Sequence, residues 1–387
     1  MKTKRIRASL APFLLAFLLL LTSFPVMAAD QTASASLDID CVSAILIEQS
    51  TGKVLFEKDA DIPLPPASVT KIMTLLLIME ALDNGQFALT DTVQTSENAA
   101  SMGGSQIFLE PGETMSADDM LKSIVVASAN DAAVAMAEFI CGSVEAFVEK
   151  MNTRAAELGM ANTHFVNVTG LDDGIDNHLT SARDIALMSR ELLTHERIFN
   201  YTTLWMDTVR NGQFGLTNTN RLIRFYNGAN GLKTGSTAKA KFCISATAER
   251  NGMQLIAVIM AAPSRDIRNE CAKKLLDYGF ANYTRVHFDA ADCGTVRVKG
   301  GVQDNIAVRS ESFDAIIDKS GKGDIEQIVT LEESAAAPIQ AGQKLGSIRY
   351  LRNGVEIGSS DILASESVDN ITYFGLLLRL LEHYLLI

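Results

Sequence analysis

The stretch Pro65-Pro66-Ala67-Ser68-Val69-Thr70-Lys71-Ile72-Met73-Thr74 constrains this chain more than any other. Pro65 and Pro66 cannot continue a helix from upstream, but they suit its entrance. The apolar run Ile72, Leu75, Leu76, Ile78, Met79 and Leu82 then predicts a helix buried along one face. Ser68 stands at the mouth of that helix. Residues three apart share a helical face, so the Lys71 amine can reach the Ser68 hydroxyl. A serine hydroxyl is a poor nucleophile until a base takes its proton. A lysine can be that base if burial or a second cation lowers its pKa. The helix N-terminus adds partial positive charge and free N–H groups beside the serine.

Ser-x-x-Lys alone is a weak signal, and it recurs at Ser50–Lys53 and Ser236–Lys239. Ser50 lies in a turn between Ala44–Glu48 and Val54–Phe56, which read as a β-hairpin. Ser236 follows a Lys-Thr-Gly and precedes a strand at Phe242–Ala248. Only Ser68 opens a helix. Two further motifs follow it in order. Ser128-Ala129-Asn130 falls at a helix–helix junction, after a capping box at Ser116 and before a helix at 132–140. Lys233-Thr234-Gly235 occurs once, in front of a strand. A decoy Ser-x-Asn lies at Ser96–Asn98 in a loop-like region.

The N-terminus has Lys2, Lys4, Arg5 and Arg7, an apolar run from Leu10 to Val26, and Met27-Ala28-Ala29. That is the pattern of a cleaved secretory signal over 1–29, hence an exported protein at the extracytoplasmic face of the membrane. Losing its four cations takes the net charge from −12 to −16. So acidic a protein should not bind nucleic acid non-specifically. Five dispersed cysteines show no disulfide spacing and read as free thiols. His195-Glu196 begins a zinc-peptidase motif but lacks its second histidine, so no metal and no cofactor are expected. No Gly-x-Ser-x-Gly elbow is present.

Downstream, Met253–Met260 forms a hairpin with the 242–248 strand, and Ile267–Gly279 is a closing helix. From about 284 to 366 short alternating segments and glycine turns predict a small all-β domain. In Ile371–Ile387 the non-apolar positions Thr372, Gly375, Arg379, Glu382 and His383 fall on one narrow face of a helix. At about 25 Å this helix is short for a span and suits a membrane surface.

Ser68-x-x-Lys71, Ser128-x-Asn130 and Lys233-Thr234-Gly235 are together the motif set of penicillin-binding proteins and serine β-lactamases. With Ser101–Ser105, Asn162–Phe165 and the segments around the three motifs, the whole mature chain closely resembles the low-molecular-mass D-alanyl-D-alanine carboxypeptidases. The resemblance implies an α/β (α+β) penicilloyl-serine transferase fold over 30–283, with an antiparallel sheet flanked by helices. The β-rich domain would be 284–366 and the amphipathic anchoring helix 367–387.

It implies Ser68 as nucleophile, Lys71 as base and Ser128 as proton relay. Asn130 would orient Lys71 and the substrate amide, and Ser68 and Ser236 would supply oxyanion N–H groups. Lys233, Thr234, Gly235 and Arg268, with Arg265 as fallback, would border the substrate's terminal carboxylate, and Lys233 would hold the Lys71 pKa down by like charge. The implied partners are the D-Ala-D-Ala end of a peptidoglycan stem peptide and β-lactams. A slow β-lactamase shares the motifs, but no Glu-x-x-Leu-Asn occurs between Asn130 and Lys233. A catalytically weak wall-binding scaffold is the alternative of a different class.

Overall fold

The structure is a computed structural model and describes residues 37–385 except 173 and 322. The signal segment lies outside the described residues.

The N-terminal region is built on five antiparallel strands. They are β1 (Ser43–Glu48), β2 (Val54–Lys58), β3 (Ala229–Thr237), β4 (Lys241–Arg250) and β5 (Met253–Ala262), in the spatial order β2-β1-β5-β4-β3. Tight turns set the two hairpins. Glu48 closes the first, its carboxylate accepting from the N–H and hydroxyl of both Ser50 and Thr51. Asn251 and Gly252, both at positive φ, close the β4–β5 hairpin. Every residue from Leu255 to Met260 is buried, so β5 is covered on both faces. Helix α4 (Ala182–Leu192) packs on β1 and β5, and α5 (Arg265–Asn282) packs on β4 and β5.

Helix α1 (Lys71–Asp83) is buried from Lys71 to Met79 without a break. Burial is therefore not confined to the single face expected from the sequence. Helices α2 (Asn130–Cys141), α3 (Val144–Glu157) and α4 all press against it, so it runs through the core rather than over it. Its entrance is a 3₁₀ turn, Ala67–Thr70, which carries Ser68 and lies against β3.

Lys-Thr-Gly was expected in front of a strand. It lies within one, on the edge strand β3, paired with Ser245, Ile244 and Cys243 of β4. Periodicity at 242–248 reports the fully buried partner more strongly than the edge.

The C-terminal region has its own core, around Val308, Leu345, Tyr350 and Ile362. Its six-stranded sheet runs in the order Ile325–Leu331, Lys344–Arg352, Val355–Ala364, Asn305–Ser310, Asp292–Lys299 and Ser334–Ala336. A separate pair, Tyr283–Phe288 with Phe313–Asp318, links it to the N-terminal region. Lys53 Nζ donates to Ile316 O at 2.8 Å, and Arg285 Nη1 donates to Gly252 O at 3.0 Å. Helix α6 (Tyr373–Leu385) ends the chain. Arg379 bonds Asp304 and the carbonyls of Gly301 and Val302, while Tyr373, Phe374, Leu377, Leu380 and Leu381 are exposed. Among the described residues no helix is long and apolar enough to cross a membrane.

Candidate active site

Five elements bring the three motifs to one cleft. The 3₁₀ turn gives Ser68 and α1 gives Lys71. A π-helical turn, Ser123–Ala127, breaks the preceding helix and puts Ser128 in the left-handed region at φ 63°. Helix α2 restarts at Asn130. Strand β3 supplies Lys233 to Ser236.

The Lys71 amine is fully buried. Its Nζ lies 3.0 Å from Ser68 Oγ, 2.5 Å from Asn130 Oδ1 and 2.9 Å from Thr169 O. Asn130 Nδ2 donates to Gly103 O at 2.7 Å, which fixes its Oδ1 toward the lysine. Oδ1 and the Thr169 carbonyl can only accept. They accept two of the amine's N–H bonds, and its third position faces Ser68 Oγ, where the ammonium places an N–H and the neutral amine its lone pair. Burial first, and the nearby Lys233 cation second, push the Lys71 pKa well below its ordinary 10.5. The like-charge effect expected from sequence is present but secondary. Asp131 opposes it, yet its carboxylate is occupied by the N–H groups of Ile107, Leu109 and Ala132.

Lys233 is 1% exposed. Its Nζ donates to Ser128 Oγ at 2.8 Å and to Thr234 O at 3.1 Å. Burial, then Arg268, lower its pKa to about 7. Arg268, 3% exposed, is held by Asn269 Oδ1 and Cys243 O. Burial and the neighbouring Arg265 bring it down to about 10. Arg265 is exposed on the first turn of α5. Arg268 and Arg265 line the same cleft, about 570 Å³ in volume, with Ser68, Ser128, Thr234 and Ser236.

Two glycines allow this closeness. A Cβ on Gly235 would fall 2.8 Å from Pro66 O and 2.9 Å from the nitrogens of Ser68 and Val69. The β3 backbone therefore lies directly against the Ser68 N–H. Gly170, at φ +82°, would place a Cβ 1.8 Å from Ala67 O.

The decoys are all otherwise employed. Ser50 is bound to Glu48, and Lys53 reaches Ile316 O. Ser96 caps a short helix through Ala99 N–H, and Lys239 pairs with Asp176. The five cysteines are free thiols. Among the described residues no acid, histidine and cysteine group could hold a metal.

Sequence reading missed two contributors. Thr169 enters through an Asx turn, where Asn167 Oδ1 accepts from the N–H groups of Thr169 and Gly170. Thr219, whose hydroxyl accepts from Thr234 Oγ1 at 2.8 Å, follows a hairpin of Met206–Val209 and Phe214–Thr217. The Asn211-Gly212 turn was its available signal.

The sequence profile described as D-alanyl-D-alanine carboxypeptidase matches residues 29–264, and that of the penicillin-binding protein 5 C-terminal domain matches 283–370. The chain is 44% identical to the D-alanyl-D-alanine carboxypeptidase DacF of Bacillus subtilis, across 95% of this chain and 96% of that one. It is 34% identical to DacC of Escherichia coli, across 90% and 89%. Penicillin-binding protein 5 from Haemophilus influenzae superposes with a TM-score of 0.77 at 29% identity, covering 86% of this chain and 98% of that one.

Proposed function

The chain belongs to the D-alanyl-D-alanine carboxypeptidase family, and from that premise we propose that Ser68 is the nucleophile of a serine-type carboxypeptidase that removes the terminal D-alanine from peptidoglycan stem peptides. The observation that carries the assignment is the set of partners around Lys71. Two acceptor-only groups and a buried setting favour a neutral amine with its lone pair on Ser68 Oγ.

In this reading Lys71 takes the Ser68 proton as Oγ attacks the penultimate D-alanine carbonyl. The Ser68 and Ser236 N–H groups receive the oxyanion, usually the largest contribution in acyl transfer. Ser128, bonded to Lys233, passes a proton to the leaving nitrogen. Lys233, Thr234 and Arg268 hold the departing carboxylate, with Gly235 keeping their strand against Ser68, and Asn130 orients Lys71 and the substrate amide. Water then hydrolyses the ester. A penicillin, whose lactam carbonyl mimics the scissile amide, acylates the same oxygen.

Membership in this family fits an extracytoplasmic site of action. The finer reading is an exported chain cleaved near 29, a catalytic domain over 30–283, a β-rich spacer over 284–366, and a surface helix over 367–387. The exposed leucines and aromatics of α6, with Arg379 tied back to the β domain, support a helix lying on the membrane. Deleting 371–387 should release the protein from anionic vesicles; unchanged sedimentation would refute this anchor.

The test of function is D-alanine release from diacetyl-Lys-D-Ala-D-Ala. The parent releases it and Ser68→Ala does not. Equal release by both would refute the assignment.

A further inference from the structure

The Lys71 amine is held by two acceptors, and each acceptor needs fixing in turn. Asn130 Oδ1 is fixed by the bond from its own Nδ2 to Gly103 O. The Thr169 carbonyl has no such handle, because a peptide oxygen goes where its backbone goes. That backbone is shaped by Asn167.

Residues 167–171 form a strap along the entrance of α1. Lys71 and Thr74, three apart on one helical face, donate to successive carbonyls of the strap. Lys71 Nζ lies 2.9 Å from Thr169 O, and Thr74 Oγ1 lies 2.7 Å from Val168 O. Gly170 packs on Ala67 O and Thr70 Oγ1, where a Cβ would clash. The Asn167 side chain then closes the strap on itself. Its Oδ1 accepts from the N–H groups of Thr169 at 3.0 Å and Gly170 at 2.7 Å, and its Nδ2 donates to Leu171 O at 2.8 Å. Val168, Thr169 and Gly170 are buried. Without Asn167 two interior N–H groups would lose their acceptor, and the strap would shift to satisfy them. Asn167 itself is half-buried and does not line the Ser68 cleft.

We propose that Asn167 is a positioning residue for the Ser68 reaction: it holds the Thr169 carbonyl on the Lys71 amine and so turns the amine's third position onto Ser68 Oγ. The inference rests on the reading of Ser68 and Lys71 above. With both acceptors in place, two positions of the amine are taken and the third has one direction left. With the strap loosened, one acceptor remains and the amine rotates, so proton transfer waits on alignment. The proposed substrate contacts on β3 and at Asn130 and Arg268 are untouched, so the cost falls on the acylation step and spares binding.

The experiment follows acylation of the full chain by a fluorescent penicillin from pH 5 to 9, separating the Kd of the first complex from the acylation rate constant. Asn167→Ala should lower the rate constant about 10- to 30-fold and change Kd less than about twofold. Asn167→Asp keeps an acceptor for both N–H groups and loses the bond to Leu171 O, so its plateau rate should return to within about threefold of the parent. It also adds a negative charge to the groups that act on the amine, Lys233 of β3 and Asp131 of α2. Asp172 and His178, bonded to Thr237 and Thr70, are common to parent and variants. The ionisation seen in the rate should therefore move up by about 0.5 to 1 pH unit in Asn167→Asp. If Asn167→Ala does not fold, the plateau and the ionisation of Asn167→Asp decide. An Asn167→Ala rate within about twofold of the parent overturns the inference, as does a loss carried by Kd. So does an Asn167→Asp plateau as low as that of Asn167→Ala, or a restored plateau with an unmoved ionisation. A parent that is not acylated, or is labelled away from Ser68, would instead sink the reading of Ser68.

Discussion

In the catalytic region Lys71, Lys233 and Arg268 are each at most 3% exposed, and Glu48, Asp131, Asp184 and His178 are buried with them. Among the described residues of the β region, between 283 and 370, the buried side chains with a polar group are Ser310, Ser360 and Tyr350. Its ion pairs Lys344–Asp361 and Arg349–Glu356 are exposed, and Arg285–Asp314 is half-buried. Both regions solve the same packing problem, but only one takes charges inside. Burying a cation without a carboxylate costs free energy, so a fold keeps it where the altered pKa is used. In the proposed mechanism the buried amines of Lys71 and Lys233 serve proton transfer and the meeting of an anion. The β region has nothing to tune, which agrees with a spacer role.

The largest expected effect breaks the contrast at its centre. Lys71→Met should lower D-alanine release by at least about 10³-fold, since the serine loses its base. Circular dichroism would check that the fold survives; near-parental turnover would show that the buried amine is idle. Gly235→Ala comes next. Its Cβ would push β3 off the Ser68 N–H, and acylation by penicillin should slow by about 10²–10³-fold.

Tyr350→Ala probes the other region. The ring stacks on Phe313 at 4.2 Å and its hydroxyl meets Ser360. Unfolding of the β region should become easier by about 3–5 kcal/mol, while D-alanine release at low temperature stays within about twofold. A large loss of turnover would mean that the two regions are coupled.

His178 tests whether buried titratable groups set the acid limit. Its Nδ1 accepts from Val166 N–H, so Nε2 carries the proton toward Thr70 Oγ1. Burial lowers its pKa from 6.5 to about 4. The unfolded chain therefore protonates first. Stability is full above pH 6.5 and falls toward pH 4, by about 3 kcal/mol from this group. His178→Gln should flatten that window in urea titrations; an unchanged pH dependence would exclude His178 as its source. At the small end, Lys344→Ala removes an exposed pair and should shift stability by less than about 0.5 kcal/mol. A shift above 1 kcal/mol would contradict the view of the β-region surface.

Much of this was legible in the sequence. Ser68 and Lys71 declared themselves because prolines and an apolar run fix a helix entrance around them. Ser128 and Asn130 were placed at a junction because capping and periodicity end one helix and start another. The Lys-Thr-Gly strand was harder, since an edge strand half open to a cleft lacks clean alternation. Thr169 contributes a backbone carbonyl, which no side-chain pattern reports. The burial that dominates the Lys71 pKa is a tertiary property, with Asn130 of α2 and the Thr169 carbonyl closing on the amine, and is invisible along α1 alone.

The central claim is that Lys71 is already neutral near physiological pH with its lone pair on Ser68. The most direct measurement is the second-order rate of acylation by a fluorescent penicillin from pH 5 to 10.5, with the labelled peptide mapped. The account predicts a Ser68 adduct whose rate rises through one ionisation far below 10.5 and climbs no further in the upper part of the range, where Lys233 and Arg268 lose the charge that meets the carboxylate. A rate still climbing about tenfold per pH unit near pH 10, or a label on another side chain, would contradict it.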